Sequence, residues 1–406
     1  MKELILKKGE ERRIRAGHLW VFSNEVDTQQ TPLKGLEPGE FVNIADSRGK
    51  PLGTAYANPA SLITARLVSP KQNAPLDAEL LEQRIKNALA LRETLFDHPC
   101  YRLVHAEGDY LPGLVIDRYG SDFAIQITTA GMERLKPAIC EAMEKIFPAL
   151  NIVFRNDTQS RALENLPQET SVFQPYLSRP VPEEFSLIEN GLKYHVPSLN
   201  GQKTGWFYDQ RPNRKFAFEL ARGLTRQNRA ARMLDAFSYA GGFGVAAAAG
   251  GAKEIFFLDA SGPALELAAE NLSRNEFAHK PEGRLIEGDA LALLAEMKNE
   301  GEKFDLVSVD PPAFIKRKKD EEAGLAAYFR TNELAIGLTE PGGYLISSSC
   351  SQHLSPDSLR RIIQRAASRV FRNIQILAEG RQGPDHPAHP AMPETEYLKT
   401  FVVRVF

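Results

Sequence analysis

The sequence predicts an α/β protein with a doubly wound parallel sheet in its C-terminal half, a β-rich N-terminal segment and a small central α/β module. From about residue 230 onward, apolar strand-like runs alternate with helical patterns, which indicates a parallel sheet covered by helices on both faces. The chain has 406 residues, too many for one ordinary core, so two or three domains are expected. The predicted segments are 1–72, 73–185 and 186–406.

The N-terminal segment is predicted to be β-structure. The runs at 39–46, 51–58 and 61–68 are rich in strand-forming residues, and the turn "SRGK" joins the first two as a hairpin. A polar linker, "KQNAPLD", follows Pro70.

The central segment mixes helices and strands. A helix beginning near Ala78 carries apolar residues at helical spacing, and a second helix places Cys140 beside its apolar stripe, so this thiol is interpreted as core. The predicted strands are "YRLVHA", "GLVIDRY", "FAIQITT" and "NIVFRN". The Pro-rich run "FQPYLSRPVPEEF" marks a boundary near residue 185.

The C-terminal segment supplies the alternating elements. Its predicted strands are "RMLDAF", "EIFFLDA", "GRLIEGDA", "FDLVSVD", "GGYLISSS", "NIQILAEG" and "KTFVVRVF". Ser355 and Pro356 form the N-cap and first position of a helix. No helix separates the last two strands, so one of them is expected to run antiparallel to the rest.

Composition excludes several classes of protein. There is no stretch of eighteen apolar residues and no apolar signal-peptide core at the start, so a cytoplasmic protein is expected. The three cysteines are far apart, which argues against a metal site built on cysteine. The net charge of −2 means that a nucleic-acid partner would meet local basic patches, of which 1–22 and 211–232 are candidates.

Two motifs at predicted strand ends favour an adenosine-containing cofactor. In "DAFSYAGGFG" (235–244), glycines let the backbone approach a ligand and open a helix. Asp259 ends the next strand, 24 residues after Asp235, where an acidic group bonds a ribose hydroxyl. These two motifs do not separate a dinucleotide from S-adenosylmethionine (SAM).

Two further motifs shift the prediction toward SAM. Asp289 follows the third strand, where it suits either the adenine rim of the pocket or a helix N-cap. Asp310 opens "DPPAF", in which Pro311 and Pro312 stiffen the loop. A carboxylate beside a rigid loop and the Phe314 ring suits a flat, hydrogen-bonding base, which a dehydrogenase does not need.

Cys350, in "SSSCSQHLS", follows the next strand. Adjacent parallel strands would bring Asp310 and Cys350 to one pocket. A thiolate that attacks C6 of a pyrimidine makes C5 nucleophilic, and cysteine suits such covalent catalysis. A buried filler role is the alternative for this thiol, and His353 could assist it or simply be solvated.

Several blocks in order resemble one family. The chain resembles the bacterial 23S rRNA cytosine-C5 methyltransferases, which join an N-terminal PUA domain to a class I SAM methyltransferase with a Rossmann-like sheet. The resemblance covers essentially the whole chain. It rests on "RIRAGHLWVFSNEV", "YRLVHAEGDYLPGLVIDRYG", "GQKTGWFYDQRPNR", "DAFSYAGGFG", "DPPAF", "SSSCS" and "DHPAHPAMPETEYLK".

The resemblance implies a role for each matched residue. Cys350 would be the nucleophile, and Asp310 would hold the target base by its N3/N4 edge. The SAM pocket would be lined by Asp235, Phe237, Tyr239, Gly241, Gly242, Asp259, Asp289, Gln210 and Arg211. The RNA would be bound by Pro311, Pro312, Phe314, Lys203, Lys7, Lys8, Arg12 and Arg13, with Thr204 and Asp209 beside cofactor and substrate.

The implied partner is 23S rRNA or an assembling large ribosomal subunit, with no membrane, no metal and a homodimer allowed. One departure matters: many RNA cytosine-C5 methyltransferases carry a second cysteine in the fourth motif, and "DPPAF" has none. The group that removes the C5 proton is therefore unassigned. Uracil-C5 methylation, exocyclic-amine methylation and a noncatalytic RNA-binding or assembly role stay open as alternatives.

Overall fold

The computed structural model describes residues 1–175, 180–201 and 204–406, which divide into two units. The first unit comprises Met1–Leu187, Val196–Tyr208 and Pro384–Thr395. The second comprises Ile188–His195, Asp209–Gly383 and Glu396–Phe406. The three-segment division with boundaries after residues 72 and 185 stays a prediction.

The N-terminal part of the first unit is a five-stranded sheet with one short helix. The elements are β1 (Lys2–Ile5), α1 (Glu11–Arg15), β2 (Trp20–Phe22), β3 (Glu40–Ala45), β4 (Pro51–Ala57) and β5 (Ile63–Ser69). The strand order is β1-β3-β4-β5-β2. The three predicted strands correspond to β3, β4 and β5, while β1 and β2 lie within the basic stretch 1–22.

The central part of the first unit is a second five-stranded sheet with three helices. The elements are α2 (Ala78–Leu95), β6 (Cys100–His105), β7 (Leu114–Tyr119), β8 (Asp122–Ile127), α3 (Ala130–Arg134), α4 (Lys136–Ile146), β9 (Asn151–Asn156) and β10 (Glu169–Phe173). The strand order is β10-β9-β8-β7-β6. Asp77 caps α2 by accepting from the amide of Leu80 at 2.9 Å, as short polar side chains do at helix starts.

The N-terminal sheet packs Tyr56 and Val68 into the hydrophobic core of the central part. Tyr56 on β4 is buried, and its hydroxyl donates to the carbonyl of Pro112 at 2.6 Å. The ring lies against Gly131, where an added Cβ would meet it at 2.1 Å. Glu164 is also buried and bonds Asn58 and Arg66 of the N-terminal part. Burial of these polar groups with partners fixes the packing of the two sheets.

The segment 384–395 packs into the first unit through buried polar groups. The Arg92 guanidinium donates to the carbonyl of Asp385 at 2.7 Å, and the amide of Arg102 donates to the Asp385 carboxylate at 3.0 Å. The rings of His105 and His386 lie 4.9 Å apart. Loss of the Asp385 carboxylate would leave the Arg102 amide without this acceptor.

A two-stranded sheet and a helix precede the second unit's main sheet. They are β11 (Glu184–Glu189), β12 (Leu192–Pro197) and α5 (Arg211–Arg226). The buried Glu189 carboxylate pairs with Arg214 of α5 at 2.7 Å.

The second unit is built on a seven-stranded sheet with helices between its strands. Its elements are β13 (Arg232–Ala236), α6 (Gly242–Ala249), β14 (Glu254–Asp259), α7 (Gly262–Ser273), β15 (Glu282–Glu287), α8 (Ala290–Asn299), β16 (Phe304–Val309), α9 (Glu321–Leu338), β17 (Thr339–Ser349), α10 (Pro356–Arg369), β18 (Ile374–Gly380) and β19 (Lys399–Val405). The order β15-β14-β13-β16-β17-β19-β18 confirms the predicted doubly wound sheet. β19 runs antiparallel to both neighbours, as the missing helix before it predicted.

The order of strands in this sheet reverses between β13 and β16. β13 pairs in parallel with β14 on one side and with β16 on the other. Such a switch point opens a crevice at the carboxyl ends of the strands, where ligands bind in doubly wound sheets. No helix in the described ranges is long and apolar enough to cross a membrane.

Candidate active site

Asp235 lies beneath the Gly-rich turn that follows β13. It is 1% exposed, and its carboxylate accepts from the amide of Gly244 at 2.8 Å and from the Ser308 hydroxyl at 2.7 Å. Burial raises the pKa of Asp235 to about 7, and the nearby Asp310 carboxylate adds to the rise. Both carboxylate oxygens of Asp235 accept hydrogen bonds from protein groups, which favours a structural role for this residue in the turn. Direct contact with the cofactor stays a prediction.

The turn itself is conformationally unusual. Phe237 and Tyr239 have positive φ angles of 61° and 46°, which bulky residues rarely adopt and which concentrate at functional sites. Asp259, at the end of β14, accepts from the amide of Tyr239 at 2.9 Å and from that of Ser261 at 3.0 Å. This carboxylate therefore holds the turn and keeps lone pairs for a further donor.

The turn is shaped to take a ligand against its backbone. Gly241 has φ +78°, and a Cβ there would lie 2.8 Å from the Cβ of Ala268. Gly242 is buried at the start of α6. The Ser238 hydroxyl is buried and has no hydrogen-bond partner within the described ranges. An unsatisfied buried hydroxyl beside a glycine turn fits a polar cofactor group, and the sequence reasoning missed Ser238.

The other predicted cofactor-binding residues of the second unit have hydrogen-bond or ion-pair partners within the protein. Asp289 is exposed and caps α8 by accepting from the amide of Ala292 at 2.9 Å, which is the N-cap alternative. Gln210 is buried and accepts from Asn213 at 2.6 Å. Arg211 begins α5, with its Nε 3.9 Å from Glu189. Asp209 accepts from the Tyr397 hydroxyl at 2.6 Å.

The "DPPAF" loop leaves β16 beside the Gly-rich turn. The amide of Asp310 donates to the carbonyl of Ala236 at 3.4 Å. The Phe314 ring lies 6.4 Å from that of Phe237 and 4.9 Å from that of Tyr328. Pro311 is buried and Pro312 is exposed. Two prolines and an aromatic cluster thus hold the Asp310 loop rigid.

Cys350 directly follows β17, the strand next to β16 and its Asp310 loop. β16 and β17 pair in parallel, with Val309 opposite Ser347, so Asp310 and Cys350 leave neighbouring strands at the same edge of the sheet. Cys350 is partly exposed, whereas Cys100 and Cys140 are buried. Burial raises the pKa of Cys140 to about 11, so among these thiols Cys350 is the one accessible for chemistry. His353 is exposed in the following loop.

The serines around Cys350 are structural. The Ser347 hydroxyl donates to Asn332 at 2.7 Å, and the hydroxyls of Ser348 and Thr400 lie 2.8 Å apart. All three serines that precede Cys350 are buried. They anchor the end of β17 to α9 and β19, and so they fix where the thiol leaves the sheet.

Ser351 connects the two loops. Its hydroxyl accepts from the amide of Ile315 at 3.1 Å and lies 2.8 Å from the Tyr328 hydroxyl. Tyr328 in turn accepts from Ser349 at 2.8 Å. This buried network ties the Asp310 loop to the Cys350 loop, and a satisfied buried network of this kind makes a site rigid.

Lys399 is the second residue that sequence reasoning missed. It opens β19 opposite Ser349, is 8% exposed and donates from Nζ to the carbonyl of Ser351. Burial lowers the pKa of Lys399 to about 8, while Cys350 acts in the opposite direction. The only sequence signal was its place at the end of "DHPAHPAMPETEYLK".

The predicted RNA-binding residues near the N-terminus lie in the first unit. Lys7, Lys8 and Arg12 are exposed. Arg13 is partly buried, pairs with Glu25 at 2.6 Å and packs over the Phe22 ring, so its charge is already compensated. Lys203 lies outside the described residues. Thr204 is buried in the first unit and accepts from Tyr119 at 3.1 Å.

The fold and the crevice are those of doubly wound enzymes that use an adenosine-containing cofactor. Residues 4–70 match the model of a PUA-like domain, and residues 163–392 match that of S-adenosylmethionine-dependent methyltransferases. Among the described side chains, no group of three or more His, Cys, Asp or Glu is arranged to hold a metal ion.

Relatives cover the chain from end to end. The chain is 36% identical to the ribosomal RNA large subunit methyltransferase I of Erwinia tasmaniensis, with 99% of each chain aligned. It is 36% identical to the protein of that name from Tolumonas auensis, over 98% of each. The chain therefore belongs to the S-adenosylmethionine-dependent methyltransferase family that these proteins represent, and its cofactor is SAM.

The solved structures agree on the fold. A Streptococcus mutans protein provisionally assigned as a SAM-dependent methyltransferase superposes with a TM-score of 0.81 over the whole of both chains, at 20% identity. A provisionally assigned methyltransferase complexed with SAH superposes with a TM-score of 0.80, also at 20% identity. At this identity the likeness concerns the fold alone.

Proposed function

We propose that this enzyme methylates C5 of a cytosine in 23S rRNA through a covalent bond between Cys350 and C6 of the base. The observation that carries the proposal is the placement of Asp310 and Cys350 at the ends of adjacent parallel strands, with their loops joined through Ser351. A carboxylate and an accessible thiol at one edge of the sheet are the two groups that this chemistry needs.

The Cys350 thiolate forms a bond to C6 with a sulfur lone pair, and the electron pair of the C5=C6 bond becomes available at C5. The Asp310 carboxylate accepts a hydrogen bond from the cytosine N4 amino group. After C5 has gained the methyl group, loss of its proton restores the C5=C6 double bond, and the S–C6 pair returns to sulfur.

The Gly-rich turn is proposed to hold the cofactor. Asp259 would accept a hydrogen bond from the ribose, and the Ser238 hydroxyl would bond a polar group of the cofactor. The backbone at Gly241 would allow the cofactor to approach closely. When bound, SAM supplies the electrophilic methyl group. Phe237 and Phe314, whose rings meet, would line the pocket between cofactor and base.

The names of the relatives, which refer to large-subunit ribosomal RNA, support the choice of substrate. The base would have to be unstacked to reach a buried site, and Lys7, Lys8 and Arg12 are exposed cations suited to phosphate contacts. A ribosomal RNA substrate would place the protein in the cytoplasm. Free rRNA and an assembling subunit both fit the proposal, and a homodimer stays a prediction.

The decisive experiment labels unmodified 23S rRNA with methyl-labelled SAM and identifies the nucleoside by mass spectrometry. Label in 5-methylcytosine is expected. Cys350→Ala should abolish labelling, whereas Cys140→Ala, which alters a buried thiol in the first unit, should retain it. RNA carrying 5-fluorocytosine should become covalently trapped by the natural protein but not by Cys350→Ser.

Each alternative gives a different result. Label in 5-methyluridine would identify uracil as the target base in place of cytosine, and the thiol would have the same role. Full activity of Cys350→Ala would contradict the covalent mechanism and favour methylation of an exocyclic amine. If calorimetry detected no binding of SAM, the noncatalytic RNA-binding or assembly role would be favoured.

A further inference from the structure

We propose that Lys399 is a positioning residue whose ammonium group keeps Cys350 in its thiolate form. The inference rests on the proposed function for its purpose, since an attacking thiolate is needed only if Cys350 is the nucleophile. It adds a residue that lies 49 positions further along the chain and on a strand of opposite direction.

The sheet register brings Lys399 to the segment that carries the thiol. Lys399 lies directly opposite Ser349 in the antiparallel pair of β17 and β19, and directly opposed residues project from the same face of a sheet. Cys350 is the next residue after Ser349. On the other side of Cys350, the Ser351 carbonyl accepts a hydrogen bond from the Lys399 Nζ. Lys399 thus contacts the chain on both sides of the nucleophile, through strand pairing at Ser349 and through its amine at Ser351.

The environment of Lys399 calls for a negative partner. The side chain is 8% exposed, and a buried ammonium is costly unless a charge compensates it. The hydrogen bond that its Nζ donates goes to a neutral group, the Ser351 carbonyl. The nearby Glu396 forms its ion pair with Arg381 at 2.8 Å. A thiolate at Cys350 would supply negative charge, and it favours the ammonium more than Glu396 does.

The electrostatic coupling agrees with this geometry. Burial lowers the pKa of Lys399 to about 8, and the Cys350 thiolate opposes that effect, so the amine stays largely protonated at neutral pH. Because the interaction between two titrating groups is mutual, an ammonium favoured by a thiolate favours the thiolate equally. A neighbouring cation is an established means of making a cysteine reactive.

Other titratable groups around the thiol do not replace Lys399. Tyr328, from α9, is neutral because burial raises its pKa. Asp310, from the adjacent loop, carries a negative charge that opposes a thiolate. His353, from the same loop, is exposed, and Glu396 is also anionic. Lys399 is therefore the cation that this set provides.

The test measures the ionisation of Cys350 in the full-length protein without RNA. The rate of iodoacetamide alkylation at Cys350, followed by peptide mass spectrometry across pH, should have its midpoint below the value of about 8.5 for a free thiol. Lys399→Met should move the midpoint up by about one pH unit or more, and Lys399→Arg should restore it most of the way. Methylation by Lys399→Met should likewise recover as the pH is raised.

Lys303→Met is the matched control. Lys303 is a partly buried lysine in the same unit whose Nζ also donates to a backbone carbonyl, that of Gly337. This variant should leave the Cys350 midpoint unchanged. If Lys399→Met left the midpoint where it is in the natural protein, the inference would be wrong.

A measurement on the natural protein keeps the inference testable even if the Lys399→Met variant does not fold. The ultraviolet absorbance of the thiolate, taken as the difference between the natural protein and Cys350→Ser, gives the midpoint with Lys399 intact. A midpoint at or above that of a free thiol would overturn the inference. Neither thiol assay uses RNA. A midpoint like that of a free thiol would therefore contradict only the role of Lys399, whereas retained methylation by Cys350→Ala would contradict the proposed function.

Discussion

Asp235→Asn should make the second unit more stable at alkaline pH while leaving its stability at acidic pH almost unchanged. In the natural protein burial raises the pKa of Asp235 from 3.8 to about 7. Since the folded pKa lies above the unfolded one, the folded state binds the proton more tightly. The stability that this provides is fully present below about pH 4 and is lost as the pH rises through about 7.

The size of the effect follows from the two pKa values. A carboxyl group whose pKa changes this much loses roughly 4 kcal/mol of unfolding free energy when it ionises inside the fold. Asparagine cannot ionise, yet its oxygen can still accept from the Gly244 amide and its nitrogen can donate to the Ser308 oxygen. The stability of Asp235→Asn relative to the natural protein should therefore rise by roughly 3–4 kcal/mol between pH 4 and pH 8.

The assay must report on the second unit alone. Both tryptophans, Trp20 and Trp206, lie in the first unit, so tryptophan fluorescence would follow the wrong part of the molecule. Amide hydrogen exchange of peptides that cover β13 and β14, measured in urea at several pH values, gives the local free energy of opening. Asp289→Asn changes an exposed carboxylate in the same unit and should not reproduce the gain. A stability difference that is flat with pH for Asp235→Asn would refute the argument.

Three other expectations follow from contacts described above. Ser351→Ala removes the acceptor of a buried amide, so the second unit should lose about 1–3 kcal/mol in urea unfolding and methylation should slow; undiminished activity would mean that the loop connection is dispensable. Gly241→Ala places a Cβ 2.8 Å from a neighbouring methyl group at φ +78° and should weaken SAM binding in calorimetry, whereas Gly301→Ala, at φ +82° with nothing within 4 Å, should not. Replacing Lys8 and Arg12 together by glutamine should reduce the salt dependence of RNA binding by about one phosphate contact each; an unchanged slope would exclude this role.

Much of the second unit was predictable because its information is local. Alternation of strands and helices dictates a parallel sheet, and the motifs then fall at the carboxyl ends of β13, β14, β15, β16 and β17 without knowledge of the three-dimensional structure. The proximity of the Asp310 and Cys350 loops followed from the same rule. Position at that edge of the sheet does not by itself assign a chemical role to each residue.

What could not be predicted depends on contacts between distant parts of the sequence. Lys399 meets the Cys350 loop only because β19 inserts antiparallel beside β17 in a register that no local pattern reveals. In the sequence Ser238 is one more residue of a glycine-rich turn, and only the structure shows that its buried hydroxyl has no hydrogen-bond partner among the described residues. The hydrogen bonds of Ser347 and Ser348 to α9 and β19 likewise join residues that are far apart in the sequence.

The segment 384–395 has a consequence for how the protein is made. Its Asp385 carboxylate and backbone carbonyl bond to Arg102 and Arg92 in the interior of the first unit, although it is encoded almost at the end of the chain. The first unit can therefore be completed only after residues 209–383 of the second unit have been synthesised, and a truncation that stops before residue 384 would leave the Arg102 amide without the Asp385 carboxylate and the Arg92 guanidinium without one of its acceptors.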